Sequence, residues 1–260
     1  MNTQRGCPFT CNWCSHAVYG DTYRRRPVKS VIAEIKELIV EYNPDSFWFV
    51  DDVFTMSEKW LMDFQQELQA NHLKIKYECI TRADRLNEKI IKTLKNTGCE
   101  MLWIGAESGS QKVIDLMDRR VDIKVVREMI KRSKNQGIKT GTFIMLGYPG
   151  ETSKDIQETI YHLKESNPDI FTINIAYPIR GTKLFEDVKE KIVPVEADFE
   201  TIDRNVDFKR TYNRKYYDYA IRKVYNEVNY HKYKLNKKNV LALKCKLKSA
   251  TASIGMIIYK

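Results

Sequence analysis

Residues 43–51 read NPDSFWFVD, and residues 167–175 read NPDIFTINI. Each fragment sets Asn-Pro-Asp between an amphipathic stretch and a short apolar run rich in β-formers. Proline has no backbone N–H and biases the preceding residue away from helical dihedrals, so each Asn-Pro marks a helix stop before a strand. The offset between the fragments, 124 residues, is about four units of roughly 31, the size of a βα repeat.

Outward from these two anchors the same alternation fills most of the chain. Short apolar runs stand at 46–51 (SFWFVD), 75–81 (IKYECIT), 100–106 (EMLWIGA), 138–146 (IKTGTFIML) and 169–176 (DIFTINIA), and amphipathic stretches at 28–42, 57–71, 87–97, 110–136 and 152–166. In the first stretch Val31, Ile35, Leu38 and Tyr42 recur at helical spacing. Asn-Thr-Gly at 96–98 and Asn-Gln-Gly at 135–137 are helix stops, each followed directly by a strand. Regular βαβα order calls for a parallel sheet with right-handed crossovers. With a first strand at 1–6 there are six βα units, so the expected fold is α/β, a partial (β/α)6 barrel of the TIM type. An open doubly wound sheet is the alternative on pattern alone.

The alternation stops near residue 195. Residues 200–218 read as irregular and aromatic, a helix is expected over 215–235 with Tyr217, Ile221, Val224 and Val228 on one side, and the last thirty residues lack punctuation. Charge changes at the same place. Residues 201–260 hold 15 Lys/Arg against 4 Asp/Glu, whereas residues 1–200 hold 29 against 30. The expected organisation is a core over 1–195 and a basic extension over 196–260, separable from the core; tail aromatics such as Tyr216, Tyr217 and Tyr219 packed under the barrel are the alternative. A nearly neutral body with a basic tail does not by itself read as a nucleic-acid binder.

Length and composition, 260 residues at 43% apolar and 30% charged, suit one large domain and exclude collagen-like and disordered chains. No apolar run approaches a membrane span, and the start lacks the basic-then-apolar pattern of a secretory signal, so an integral membrane protein is excluded and a cytoplasmic location is expected. Six cysteines are too few and too uneven for a disulfide scaffold. Three fall within eight residues in RGCPFTCNWCSH (5–16), spaced Cys7-x3-Cys11-x2-Cys14, which reads as metal in a reducing compartment. A cubane iron–sulfur cluster normally takes four thiolates; three leave one iron open to a substrate or cofactor. Zinc held by the three cysteines and His16 is the plainer alternative. Cys79 and Cys99 lie in or beside strands and read as small core residues, and Cys245 has no partner motif.

These residues resemble a known family. Cys7-x3-Cys11-x2-Cys14, with the aromatic Trp13 before the last cysteine, is similar to the signature of the radical S-adenosylmethionine (radical SAM) superfamily. The phrases FVDDVFT, TRADRL, GAESGS and GTFIMLGYPGET, in that order, extend the resemblance over about residues 1–190. They are similar to the subgroup whose members carry a cobalamin-binding domain ahead of the barrel.

The resemblance implies a [4Fe–4S] cluster on Cys7, Cys11 and Cys14 and S-adenosylmethionine on the open iron. It implies an enzyme that cleaves S-adenosylmethionine reductively to a 5′-deoxyadenosyl radical, or transfers methyl groups if paired with cobalamin. Asp51 and Asp52 stand where the family receives the cofactor's amino group, although the common form there is Gly-Gly-Glu; a strand-end turn is the plainer reading. Arg82 stands where it could pair with the methionine carboxylate, with an ordinary surface ion pair as the alternative. Glu107 and Ser108 resemble residues that hydrogen-bond the ribose or amino-acid part, with a helix cap near Ser110 as the alternative. The stretch from Ile144 to Pro149 resembles the segment that lies along the adenine, where Gly147 and Gly150 would let the backbone approach closely. Trp13 is expected either to stack near the adenine or to plug the barrel mouth.

The chain holds no cobalamin domain ahead of Cys7, so cobalamin is expected only with a further domain or a partner protein. A small-molecule substrate and an electron donor such as flavodoxin or ferredoxin are the expected partners. A tRNA-modifying enzyme of the same superfamily, and a non-catalytic zinc or iron–sulfur module, are the competing readings.

Overall fold

The computed structural model describes residues 1–16, 20, 22–193 and 206–260. Five parallel strands form its sheet in the order β3 (Phe47–Phe49), β4 (Tyr77–Thr81), β5 (Cys99–Ile104), β6 (Lys139–Leu146) and β7 (Ile170–Ile175). Helix α1 (Val28–Tyr42) precedes β3. The crossovers are α2 (Glu58–Ala70), α3 (Glu88–Asn96), the pair α4 (Gln111–Leu116) and α5 (Ile123–Asn135), and α6 (Ser153–Ser166). This is a partial TIM-type barrel, its strands in sequence order.

The Asn-Pro-Asp junctions work as read. Asn43 and Asn167 take left-handed backbone at φ 44° and 47°, and their N–H groups return to the carbonyls of Ile39 and Leu163. Proline then ends each helix. At its other end α6 starts with a capping box: the Thr152 side chain accepts the N–H of Asp155, and the Asp155 carboxylate accepts the N–H of Thr152.

One parallel rung stands beside β3 where the first strand was expected. The Met1 amine donates to Trp48 O (2.9 Å) and the Val50 N–H to Met1 O (3.0 Å), a parallel pairing beside β3. After that rung, Asp51 captures the N–H groups of Thr3 and Gln4 (2.6 and 3.0 Å) and the Thr3 hydroxyl, drawing the chain off the ladder. So β1 (Gln4–Arg5) pairs antiparallel with β2 (Arg24–Arg25) and not with the sheet, correcting the strand expected over 1–6.

The stretch 110–136 is two helices, not one. The chain breaks at Met117–Asp122, where Asp118 and Arg120 take φ 48° and 54°. In α1 the buried side is Val31, Ile32 and Ile35, with Tyr42 exposed.

Beyond α7 (Lys183–Val188), β8 (Ile192–Val193) pairs antiparallel with β9 (Asp207–Phe208). Two long helices follow, α8 (Arg214–Leu235) and α9 (Asn239–Ile258). The boundary expected at 195/196 lies outside the described residues. The tail aromatics pack against the sheet. Tyr216, Tyr217, Ala220, Val224 and Val228 of α8, with Met256 of α9, belong to the same buried cluster as the sheet, and Phe171 of β7 stacks on Tyr225 at 4.7 Å. The C-terminal helices are a wall of the barrel. No helix among the described residues is long and apolar enough to cross a membrane.

Candidate active site

The break between α4 and α5 is what seats the cysteine loop. Interrupting the helix frees carbonyls, which need donors. Leu116 O takes the Asn12 side-chain amide (3.1 Å), Met117 O the Asn12 N–H (3.1 Å) and Arg119 O the Arg82 guanidinium (2.7 Å). Asn12 O in turn accepts the Leu184 N–H, tying the loop to α7. The loop therefore lies over the C-terminal ends of the strands, where parallel barrels carry their chemistry.

Cys7 and Cys11 are buried and Cys14 is half-buried. Burial pushes the Cys14 thiol up to about 11 and raises that of Cys7. The backbone N–H groups of His16 and Phe9 oppose the rise, because they donate to the charged form. The Arg82 guanidinium lies 3.7 Å from Cys11 Sγ and stacks on Phe9 at 3.8 Å. Three thiols within eight residues, with donors aimed at the sulfurs, fit a thiolate-ligated iron–sulfur cluster. His16, the fourth ligand on which the zinc alternative would draw, pairs through Nε2 with Asp52 at 2.6 Å.

One cleft opens beside Cys14, lined also by Trp13, Glu107, Phe143, Ile144, Asn174 and Tyr177. Glu107 is held there in left-handed backbone, φ 64°, by bridging to β6: its N–H donates to Phe143 O (2.9 Å) and its O accepts from Met145 N (2.7 Å). Glutamate pays about 1 kcal/mol or more for that conformation, which proteins retain mostly at functional sites. Burial raises its carboxyl pKa, while Arg119 and Arg82 lower it.

Other residues named from sequence face elsewhere. Asp51 is spent on Thr3 and Gln4, while Asp52 pairs with His16. Arg82 has all three guanidinium nitrogens engaged, by Asp84, Cys11 and Arg119 O. Ser108 is fully buried, accepts the Ser110 N–H and sits 3.4 Å from the Thr159 hydroxyl, while Ser110 at the start of α4 makes no side-chain cap. At Gly147 (φ 80°) a Cβ would lie 2.9 Å from Arg210 Cδ, so an arginine fills the room expected for a ligand, and Pro149 faces a separate hollow with Phe208 and Arg210.

Two features escaped the sequence. Arg119 is buried, donates to Gly105 O (2.7 Å), lies 3.7 Å from Glu107 and has an Nε without a partner. The second is an aromatic floor on the concave face of the sheet. Trp103 stacks on Phe143 at 4.9 Å and 14°, meets Trp48 at 6.3 Å, and donates Nε1–H to Glu78 (3.1 Å). Only glycine at 141 leaves room for that indole to lie across β6. Trp48 remains 43% exposed. Strand alternation around 48, 78, 103 and 143 is the signal that could have found it.

The sequence model of the Radical SAM superfamily matches residues 1–163. The chain belongs to that superfamily. It is thereby an enzyme chain whose cofactors are a [4Fe–4S] cluster and S-adenosylmethionine. It is 32% identical over 186 residues to an uncharacterized methyltransferase of Pyrococcus horikoshii, covering 71% of this chain and 40% of that one. It is 28% identical over 193 residues to the anaerobic magnesium-protoporphyrin IX monomethyl ester cyclase of Rubrivivax gelatinosus, covering 74% and 35%. The chain thus spans well under half the length of these relatives.

Among solved structures, a cobalamin-dependent S-adenosylmethionine radical enzyme with aqua-cobalamin bound superposes with TM-score 0.70 at 13% identity, covering 97% of this chain and 46% of that one. A radical S-adenosylmethionine methyltransferase from Kitasatospora setae, with tryptophan substrate and a cofactor analogue bound, gives 0.67 at 16%, covering 76% and 41%. At these identities the likeness is one of fold.

Proposed function

We propose that this chain is the catalytic barrel of a radical SAM enzyme acting on a small molecule held in the barrel lumen. When bound, the cluster supplies one electron to S-adenosylmethionine, whose reductive cleavage yields the hydrogen-abstracting species. The observation that carries the reading is the single cleft shared by Cys14, Trp13, Glu107 and Ile144.

Cys7, Cys11 and Cys14 hold the metal, Cys14 at the cleft wall, and Arg82, stacked on Phe9, is a positioning residue for Cys11. Arg119 takes the part expected of Arg82: buried 3.7 Å from Glu107 of the cleft wall and with an unpartnered Nε, it is a cation for the cofactor's carboxylate. Glu107 accepts from a polar group of the cofactor, and Trp13 packs over it. Asp52, paired with His16, closes the loop's outer edge. The substrate meets Trp48, Trp103 and Phe143, with Glu78 as the polar anchor, away from water that would quench a reactive intermediate. Electrons come from a flavodoxin- or ferredoxin-like donor. Relatives solved with cobalamin favour a methyl-transferring version in which the corrinoid is brought by another domain or a partner.

Anaerobic reconstitution is expected to give about four iron per chain, and the reduced protein to release 5′-deoxyadenosine and methionine. Arg119→Lys should weaken cofactor binding about tenfold while iron content holds, since ammonium does not replace a planar fork. Stoichiometric zinc without iron, or unchanged cofactor binding in Arg119→Lys, overturns the cluster and the arginine assignments respectively.

A further inference from the structure

Helix α9 presents an apolar ridge to the outside. Its inward side is made of small residues and one methionine: Ala242, Ser249, Ala252, Gly255 and Met256 are buried. A Cβ at Gly255 would collide with the Tyr219 ring, so the glycine is what lets α9 lie flat against α8. On the opposite side Val240, Leu243, Leu247, Ile254 and Ile258 follow one another at spacings of three, four, seven and four, and all are exposed. Leu247 is 61% and the neighbouring Ile257 75% exposed. Isolated exposed leucines need no explanation, but a ridge of five large apolar side chains over nineteen residues, interrupted only at Ala250 and Thr251, does.

The charge around the ridge says what covers it. Lys244 and Lys248 flank one side and Lys246 the other, with Lys237 and Lys238 at the helix start and Lys260 at its end. Eight lysines and no aspartate or glutamate follow Glu227. A second copy of this helix, in either direction, would set lysine against lysine along both borders of the seam. An anionic partner is called for, and the convex shape favours one that yields. Beside Ile254 and Ile258, between α8 and α9, runs a hollow bordered by Arg222 and Lys248, cations at the depth where headgroup phosphates would sit. The helix is clamped along its length to α8 and is not apolar enough to cross a membrane. We infer that α9 is an interfacial helix, which lays its Val240–Ile258 ridge into the surface of a bilayer rich in anionic phospholipid.

Sedimentation of the full chain with phospholipid vesicles tests this. Vesicles of phosphatidylcholine with about one-third phosphatidylserine should bind at least about tenfold more strongly than pure phosphatidylcholine, and added salt should reverse the gain. Leu247→Glu with Ile254→Glu should abolish binding, and Lys244→Glu with Lys248→Glu should remove the preference for phosphatidylserine. All four side chains are exposed, so circular dichroism and iron content should match the unsubstituted protein and exclude misfolding. Light scattering is run on the same samples. Equal binding to both vesicle types, binding that survives Leu247→Glu with Ile254→Glu, or a dimer that those two changes dissociate in a protein that ignores vesicles would overturn the inference.

Discussion

Two buried glutamates, in the loop after β6 and in the seam between α8 and α9, have been driven in opposite directions. Glu151 accepts one hydrogen bond, from Gly147 N (2.6 Å), and its other oxygen has no partner. Burial pushes it up to about 8. Glu227 is also buried, yet Lys164 (2.6 Å), Lys246 (3.0 Å) and Ser249 (2.7 Å) all donate to it. Against the upward pull of its burial, these donors hold it down at about 2. Burial sets the cost of a charge, and the count of donors decides the sign. The seam is therefore a finished piece of structure, joining α6, α8 and α9 through one carboxylate, whereas the loop after β6 keeps a charge-averse acid.

The largest expected effect tests whether the seam belongs to the fold. A chain ending at residue 195 loses Tyr216, Tyr217, Val224, Val228 and Met256 from the core. At about 1.5–3 kcal/mol for each large apolar side chain, that rivals the roughly 5–15 kcal/mol stability of a whole domain. The truncated chain is expected to be insoluble, or to lack a cooperative unfolding transition. A soluble, cooperatively folding fragment that loads iron would restore the view of the tail as an appendage.

That tail was the least legible part of the sequence, for a physical reason. In the body each helix has a single apolar stripe and each strand an apolar run, so period and the Asn-Pro stops place them within a residue or two. In α9 the inward face is alanine, serine, glycine and a single methionine, while leucine, isoleucine and valine point outward, so no stripe marks the core side. The break at Met117–Asp122 was hidden similarly, because apolar periodicity runs across it while Asp118 and Arg120 take left-handed backbone. The cysteine triad was legible because its chemistry is local in sequence. Arg119 and the Trp48–Trp103–Phe143 floor were not, because their meaning lies in neighbours brought across strands. Asp51 and Ser108 sit in the expected phrases, yet their polar groups serve the backbone.

The two glutamates give pH tests of opposite sign. For Glu151 the folded state holds its proton more tightly than the unfolded chain between about pH 4.5 and 8, so stability falls as pH rises through that window and is level above it. Glu151→Gln removes the slope. The variant should be about 4 kcal/mol more stable than the parent at pH 8, and close to it near pH 4. For Glu227 the folded state favours the ionised form. Its contribution is present above about pH 4.5 and is lost as pH falls toward 2. Glu227→Gln should cost about 2 kcal/mol at pH 7 and little at pH 2.5. Urea unfolding at several pH values measures both, and variant-minus-parent differences that change with pH in the same direction would break the contrast.

The smallest expected effect separates strain held for chemistry from strain held for folding. Glu107 and Asn43 both stand in left-handed backbone, at φ 64° and 44°. Asn43 ends α1, a place where asparagine is favoured and its N–H closes onto Ile39, so Asn43→Gly should change stability by only a few tenths of a kcal/mol. Glu107 caps nothing. Its backbone bridges β6 while its side chain is a carboxyl made reluctant to ionise by burial. Glu107→Gly relieves both the backbone strain and the buried acid, at the cost of extra freedom in the unfolded chain. The net expectation is a gain of about 0.5–1 kcal/mol, accompanied by weakened binding of S-adenosylmethionine. A loss of stability would mean that Glu107 is held in place by its own contacts with Arg119, and that its unusual backbone is an ordinary part of the core.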